Sequence, residues 1–86
     1  MSNPNELNIT IVVNGQPVGV TGNLHAPLRT IMLEALHKSG NSGQPIDNWE
    51  LRDVGGKILD PAQKLEDLHL QAGATLFLNL KAGIGG

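Results

Sequence analysis

Apolar and polar residues alternate over residues 7–13 (Leu-Asn-Ile-Thr-Ile-Val-Val), which puts Leu7, Ile9, Ile11 and Val13 on one face. A period of two is the signature of a half-buried strand. Asn14-Gly15 follows, and this pair suits a type I′ hairpin turn, where both central residues need positive φ. The return strand is 16–21, with Val18 and Val20 toward the core. Pro17 has no N–H to give a ladder, so this strand belongs at a sheet edge. The period then changes. Leu28, Ile31, Met32, Ala35 and Leu36 recur at helical spacing, one apolar stripe on a helix that starts near Ala26, with Pro27 in its first turn. Glu34 and Lys38 sit four apart on its outer side, His37 lies near its C-terminus, where a cation favours the dipole, and Gly40 is the expected stop.

Residues 41–48 have the polar composition of a loop, and 49–54 (Trp-Glu-Leu-Arg-Asp-Val) alternate again. Gly55-Gly56 turns the chain into a short strand at 57–59, and Leu65 and Leu68 supply apolar plugs. The last alternation is Thr75-Leu76-Phe77-Leu78-Asn79-Leu80, with the three leucines on one face. The order ββαβββ gives one helix with one apolar stripe and one sheet with one apolar face. An α+β fold with the helix packed across a mixed sheet buries both. The first and last strands alternate most strongly and are expected side by side and parallel, because a helix lies between them in the sequence.

The domain boundaries follow: a polar, frayed segment at 1–6, a folded body at 7–80 and a thin tail at 81–86, Lys-Ala-Gly-Ile-Gly-Gly. Glycine has wide backbone freedom and no side chain. Six extended residues reach on the order of 20 Å, so the body is expected to present its terminal carboxylate at a distance.

Composition narrows the chemistry. There are 86 residues, enough for one small domain, and Trp49 and Phe77 are the only aromatics, so Leu, Ile and Val must build the core. Net charge is −2 with no basic run, which argues against nucleic acid as a main partner. No cysteine is present, so disulfides, thiolate metal sites and thiol nucleophiles are excluded. No stretch has the length and apolarity of a membrane helix and no signal peptide opens the chain, so a cytoplasmic location is expected. His25, His37 and His69 fall in different elements without metal-ligand spacing, and Ser2, Ser39 and Ser42 sit in no nucleophile motif. No catalytic residue, metal or cofactor is expected in this chain.

From its opening hairpin to its Gly85-Gly86 end, the chain resembles the β-grasp proteins, and more narrowly ubiquitin and its relatives. The segments that carry the likeness are Gly56-Lys57-Ile58-Leu59-Asp60, Leu65-Glu66-Asp67-Leu68-His69-Leu70 and Thr75-Leu76 onward. No one of them is specific; their order and spacing are. The loop at 41–48 and the strand at Trp49 look most like small bacterial ubiquitin-like proteins of conjugation operons. That resemblance implies a protein modifier. An activating enzyme would use ATP to adenylate the Gly86 carboxylate, a conjugating enzyme would carry the acyl group as a cysteine thioester, and an amine on a target protein would receive it. A processing or deconjugating peptidase would cut after Gly86. Gly85 and Gly86 form the conjugation terminus, and Lys81 and Ile84, which stand where ubiquitin has arginines, would set recognition of the tail. Arg52 and Asn79 occupy the outward positions where ubiquitin carries aliphatics, leaving Phe77 as a possible partner contact.

Two other roles are compatible with such a chain. β-Grasp sulfur carriers also end in Gly-Gly and hold sulfur as a terminal thiocarboxylate. A non-covalent module, including a homo-oligomer, could form through the 16–21 edge or through Phe77.

Overall fold

The computed structural model describes residues 4–83. Its elements, in chain order, are β1 (Glu6–Val13), β2 (Gln16–Asn23), α1 (Leu28–Lys38), a 3₁₀ turn at Ile46–Asn48, β3 (Trp49–Arg52), β4 (Ile58–Leu59), a second 3₁₀ turn at Leu65–Leu68, and β5 (Thr75–Leu80). The sheet has five strands in the order β2-β1-β5-β3-β4. β1 and β5 are parallel neighbours at its centre, β2 is antiparallel to β1, and β3 is antiparallel to both β5 and β4. This is the ubiquitin-like β-grasp sheet, with the single helix across one face.

The hairpin forms as its dipeptide dictates: Asn14 has φ +49° and Gly15 φ +86°, both positive as a type I′ turn requires. Ile9, Ile11, Val13 and Val20 turn inward and are buried, and so are all five stripe residues of α1. They meet Trp49, Leu51, Leu59, Leu65, Leu76 and Leu78 in one cluster, and no polar or charged residue is buried among the described residues. An isolated helix of 11 residues is marginal in water. Each buried Leu, Ile or Met contributes about 1.5–3 kcal/mol, so packing rather than propensity holds α1 in place.

The C-terminus of α1 closes in a Schellman arrangement. Gly40, at φ +76°, donates to the His37 carbonyl, and Asn41 donates to that of Leu36 at 2.8 Å, which satisfies the last carbonyls. The N-terminus departs from the sequence expectation by two residues. Pro27 is the N-cap, with extended backbone (ψ 153°), and no side chain caps the helix. The cause is tertiary. Leu24 and Ala26 lie in the turn that follows β2, and their carbonyls accept from Glu66 (2.9 Å) and Leu65 (3.0 Å). The free N–H groups of Leu28 and Arg29 then donate to the carbonyls of Gln63 and Pro61, at 2.8 and 3.0 Å, partners that every helix start requires.

Three smaller differences have local causes. The loop at 41–48 contains the Ile46–Asn48 3₁₀ turn. β3 stops at Arg52 rather than Val54, because the Asp53 carboxylate accepts from the N–H groups of Gly55 (2.9 Å) and Lys57 (3.0 Å) and bends the chain there. β1 begins at Glu6 and β2 continues to Asn23, paired to one another.

Candidate functional site

The root of the tail is fixed by the centre of the sheet. β5 lies between β1 and β3, and Leu76 and Leu78 are fully buried. Trp49 pairs with Leu80, the last residue of the strand. One residue later the Lys81 N–H donates to the Asn48 carbonyl at 2.8 Å. Asn48 is itself tied down by its side-chain amide, which donates to Gln44 Oε1 at 3.0 Å, and by its N–H, which donates to Pro45 O. Beyond this clamp, Lys81, Ala82 and Gly83 are exposed, with Gly83 at φ +85°. Ile84, Gly85 and Gly86, expected to carry tail recognition and the conjugation terminus, lie outside the described residues.

The outward sheet face collects the other singled-out residues. Arg52 stands directly across from Phe77, and Glu50 across from Asn79, so Phe77 and Arg52 share one rung and Asn79 sits on the next. The Arg52 guanidinium is pinned on two sides, donating to Gly56 O at 2.8 Å and to Glu50 Oε1 at 3.2 Å. A partly exposed pair of this kind contributes at most about 1 kcal/mol, and its larger effect is to fix orientation. Phe77 is half-buried, because Val12 on one side and Arg52 on the other cover its flanks.

The pairing register extends this rung in both directions. Register joins Pro17 to Val12, Val12 to Phe77 and Arg52 to Ile58, so a single row crosses all five strands. Alternation had already placed Val12 outward. Ile58, 54% exposed, gave no signal, since a two-residue strand has too little pattern to assign a face. Val54 and Leu33 are also exposed apolar residues, at 77% and 51%, and neither lies on this row.

These ionisable groups form separate pairs. Lys38 pairs with Glu34 at 3.3 Å, His25 Nδ1 lies 3.1 Å from Glu66, and Arg29 reaches Asp47 at 3.4 Å. All three pairs are on the surface. No group of three His, Cys, Asp or Glu residues among the described residues could hold a metal ion. A shallow groove over β1 and β2 is lined by Asn8, Thr10, Gly19 and Thr21, none of which titrates. No helix of the described residues is long and apolar enough to cross a membrane.

The model of the family described as "Protein of Unknown function (DUF2604)" matches residues 2–86. The uncharacterized protein y4jI of Sinorhizobium fredii is 42% identical over 83 residues, which cover 96% of this chain. The chain spans 64% of that relative's length. Among solved structures, a de novo designed protein based on ubiquitin superposes with a TM-score of 0.78 at 22% identity, covering 98% of this chain and 99% of that one. Caldiarchaeum subterraneum ubiquitin superposes with a TM-score of 0.74 at 21% identity, covering 94% and 99%. At these identities the structural likeness establishes the fold.

Proposed function

We propose that this chain, which belongs to the DUF2604 family and has the ubiquitin-like fold, is a protein modifier whose reactive part is the Gly86 carboxylate. The observation that carries the proposal is the tail root: a central strand, held by β1 along its first four residues and by β3 along its last four and clamped at Lys81, followed by side-chain-poor residues facing solvent. A rigid base and a thin lead suit insertion into a narrow enzyme channel, where backbone amides can bond the wall.

The chemistry is acyl transfer carried out by partner enzymes. An adenylating enzyme joins the Gly86 carboxylate to AMP and releases pyrophosphate from ATP. A cysteine thiolate then attacks the carbonyl, AMP leaves, and a thioester forms. An amine on the target attacks the thioester carbonyl, the C–S bond breaks, the cysteine thiolate leaves and takes up the proton that the amine loses, and an amide remains. Lys81 and Ile84 give the activating enzyme its tail specificity. The row from Pro17 to Ile58 through Val12, Phe77 and Arg52 is the face offered to partner proteins, with Asn79 beside it. The chain itself performs no catalysis and holds no cofactor. Its expected setting is the bacterial cytoplasm.

The test is to incubate the chain with an adenylating enzyme of its own host and ATP, and to look by intact mass for an adenylate or thioester on Gly86. In host extracts, trypsin cleavage after Lys81 leaves Ala82-Gly83-Ile84-Gly85-Gly86 on the acceptor lysine, and that remnant is expected in peptide spectra. Turnover of ATP with no acyl species, and no remnant in a deep search, sinks the proposal. A mass gain equal to exchange of one oxygen for sulfur would instead identify a sulfur carrier.

A further inference from the structure

The long edge of the sheet is β2, and its hydrogen-bonding groups can be assigned one by one. β1 turns its even-numbered residues toward β5: Thr10 donates to Ala74 O, Asn14 donates to Leu78 O, and Gly73 donates to Asn8 O. Its odd-numbered residues therefore bond β2, through the pairs Val13–Gln16, Ile11–Val18, Ile9–Val20 and Leu7–Gly22. The groups that face away from the sheet belong to Pro17, Gly19, Thr21 and Asn23. An added strand would need an N–H and a C=O from alternate residues along this edge. Pro17 has no N–H. The Gly19 carbonyl already accepts from Lys38 Nζ at 2.9 Å, the lysine reaching from the end of α1 to the sheet edge. The Asn23 carbonyl accepts from the Ala26 N–H at 3.0 Å. Only Thr21 offers both of its groups.

We infer that Pro17 and Lys38 together shut the β2 edge against an added strand, and that Lys38 is the removable half of this guard. Three features support an edge device rather than a chance contact. The carbonyl that Lys38 covers lies at the centre of the edge, between the two positions that covalent structure or a local turn already disables. Glu34, one helical turn earlier, holds the ammonium in place at 3.3 Å. The Lys38 ammonium, set over the edge from α1, is also a charge that an incoming strand must desolvate. When the guard is removed, the occupant is the β2 edge of a second copy, running antiparallel, because the opposite edge, β4, is only two residues long and a two-fold pairing matches identical edges.

The experiment measures mass by sedimentation across a concentration series for five forms: the parent chain, Lys38→Arg, Lys38→Ala with Pro17→Thr, that double variant with Thr21→Pro added, and Lys38→Ala alone in case the double variant misfolds. Trp49 fluorescence and circular dichroism check folding in each. The double variant is expected to rise toward twice the single-chain mass with concentration, and Lys38→Ala alone to rise less. The parent and Lys38→Arg should show no such rise, and Thr21→Pro should abolish it in the double variant. Folded Lys38→Ala and double variants whose mass profiles match the parent's overturn the inference. So does added association that survives Thr21→Pro, since it would then run through another surface.

Discussion

At the scale of single residues, two glycines of β2 make the sharpest contrast. A Cβ built on Gly22 would lie 2.6 Å from Leu65 Cδ2 and 2.8 Å from Ile31 Cγ2, and both neighbours are 1% exposed. Neither can swing aside without disturbing the core. Gly22→Ala is therefore expected to cost about 1–3 kcal/mol, as overpacking does. Gly19 is in the same strand with open space around its added Cβ and an ordinary φ. Gly19→Ala should be neutral or slightly stabilising, because it lowers the entropy of the unfolded chain by about 0.4–1 kcal/mol. Urea titration followed through Trp49, the sole tryptophan, measures both. A Gly22→Ala midpoint equal to that of Gly19→Ala would show that the helix does not pack as closely as these distances state. Asp53 is the polar counterpart. One carboxylate oxygen holds two N–H groups of the β3–β4 turn, and bonds to a charged acceptor contribute about 1.5–3 kcal/mol. Asp53→Ala should lower the unfolding free energy from the same titration by about 1–3 kcal/mol.

At the scale of elements, long periodic segments were legible in the sequence, and the ends set by other parts of the chain were not. β5 ends where its alternation ends, β2 lies at the edge as Pro17 requires, and the five-residue stripe of α1 is the buried one. The start of α1 was hidden because its cap comes from residues 61–63, more than thirty positions along the chain, and nothing near Ala26 records it. The end of β3 was hidden because a side chain, Asp53, overrides the alternation that continues to Val54. The partner-facing row was half visible: Phe77 and Arg52 stood out by type, whereas Ile58 needed the register. The capping of α1 makes a prediction of its own. Amides in the first turn of a helix normally exchange quickly, for want of acceptors. Leu28 and Arg29 have them in Gln63 and Pro61. Their exchange should be slowed to a degree comparable with Met32 in mid-helix, whereas Pro61→Gly, which loosens the capping segment, should speed both selectively. Fast exchange at Leu28 in the parent chain would mean that the 61–63 segment does not hold the helix start in solution.

At the scale of the whole molecule, the fold separates what holds it together from what we propose it does. The core cluster and the residues packed on it run from Leu7 to Leu80, and the clamp on Lys81 uses a backbone N–H. Removal of Gly85 and Gly86 therefore touches no core contact among the described residues. Changes of that kind fall within about 0.5 kcal/mol, which for a domain of this size is a shift in Tm of about 4 °C or less. Leu78→Ala, at a fully buried site, should cost about 2–5 kcal/mol and lower Tm several times further. Acyl transfer should respond in the opposite order. The truncated chain should melt like the parent yet form no thioester, while Leu78→Ala, assayed below its own melting range, should still be charged. Phe77→Asp supplies a third arm: it leaves the tail intact and alters the outward row, so charging should persist while contacts made through the sheet face weaken. A truncated chain charged as fast as the parent would place the reactive group somewhere in the folded body, where the described residues bring together no set of groups suited to carry it.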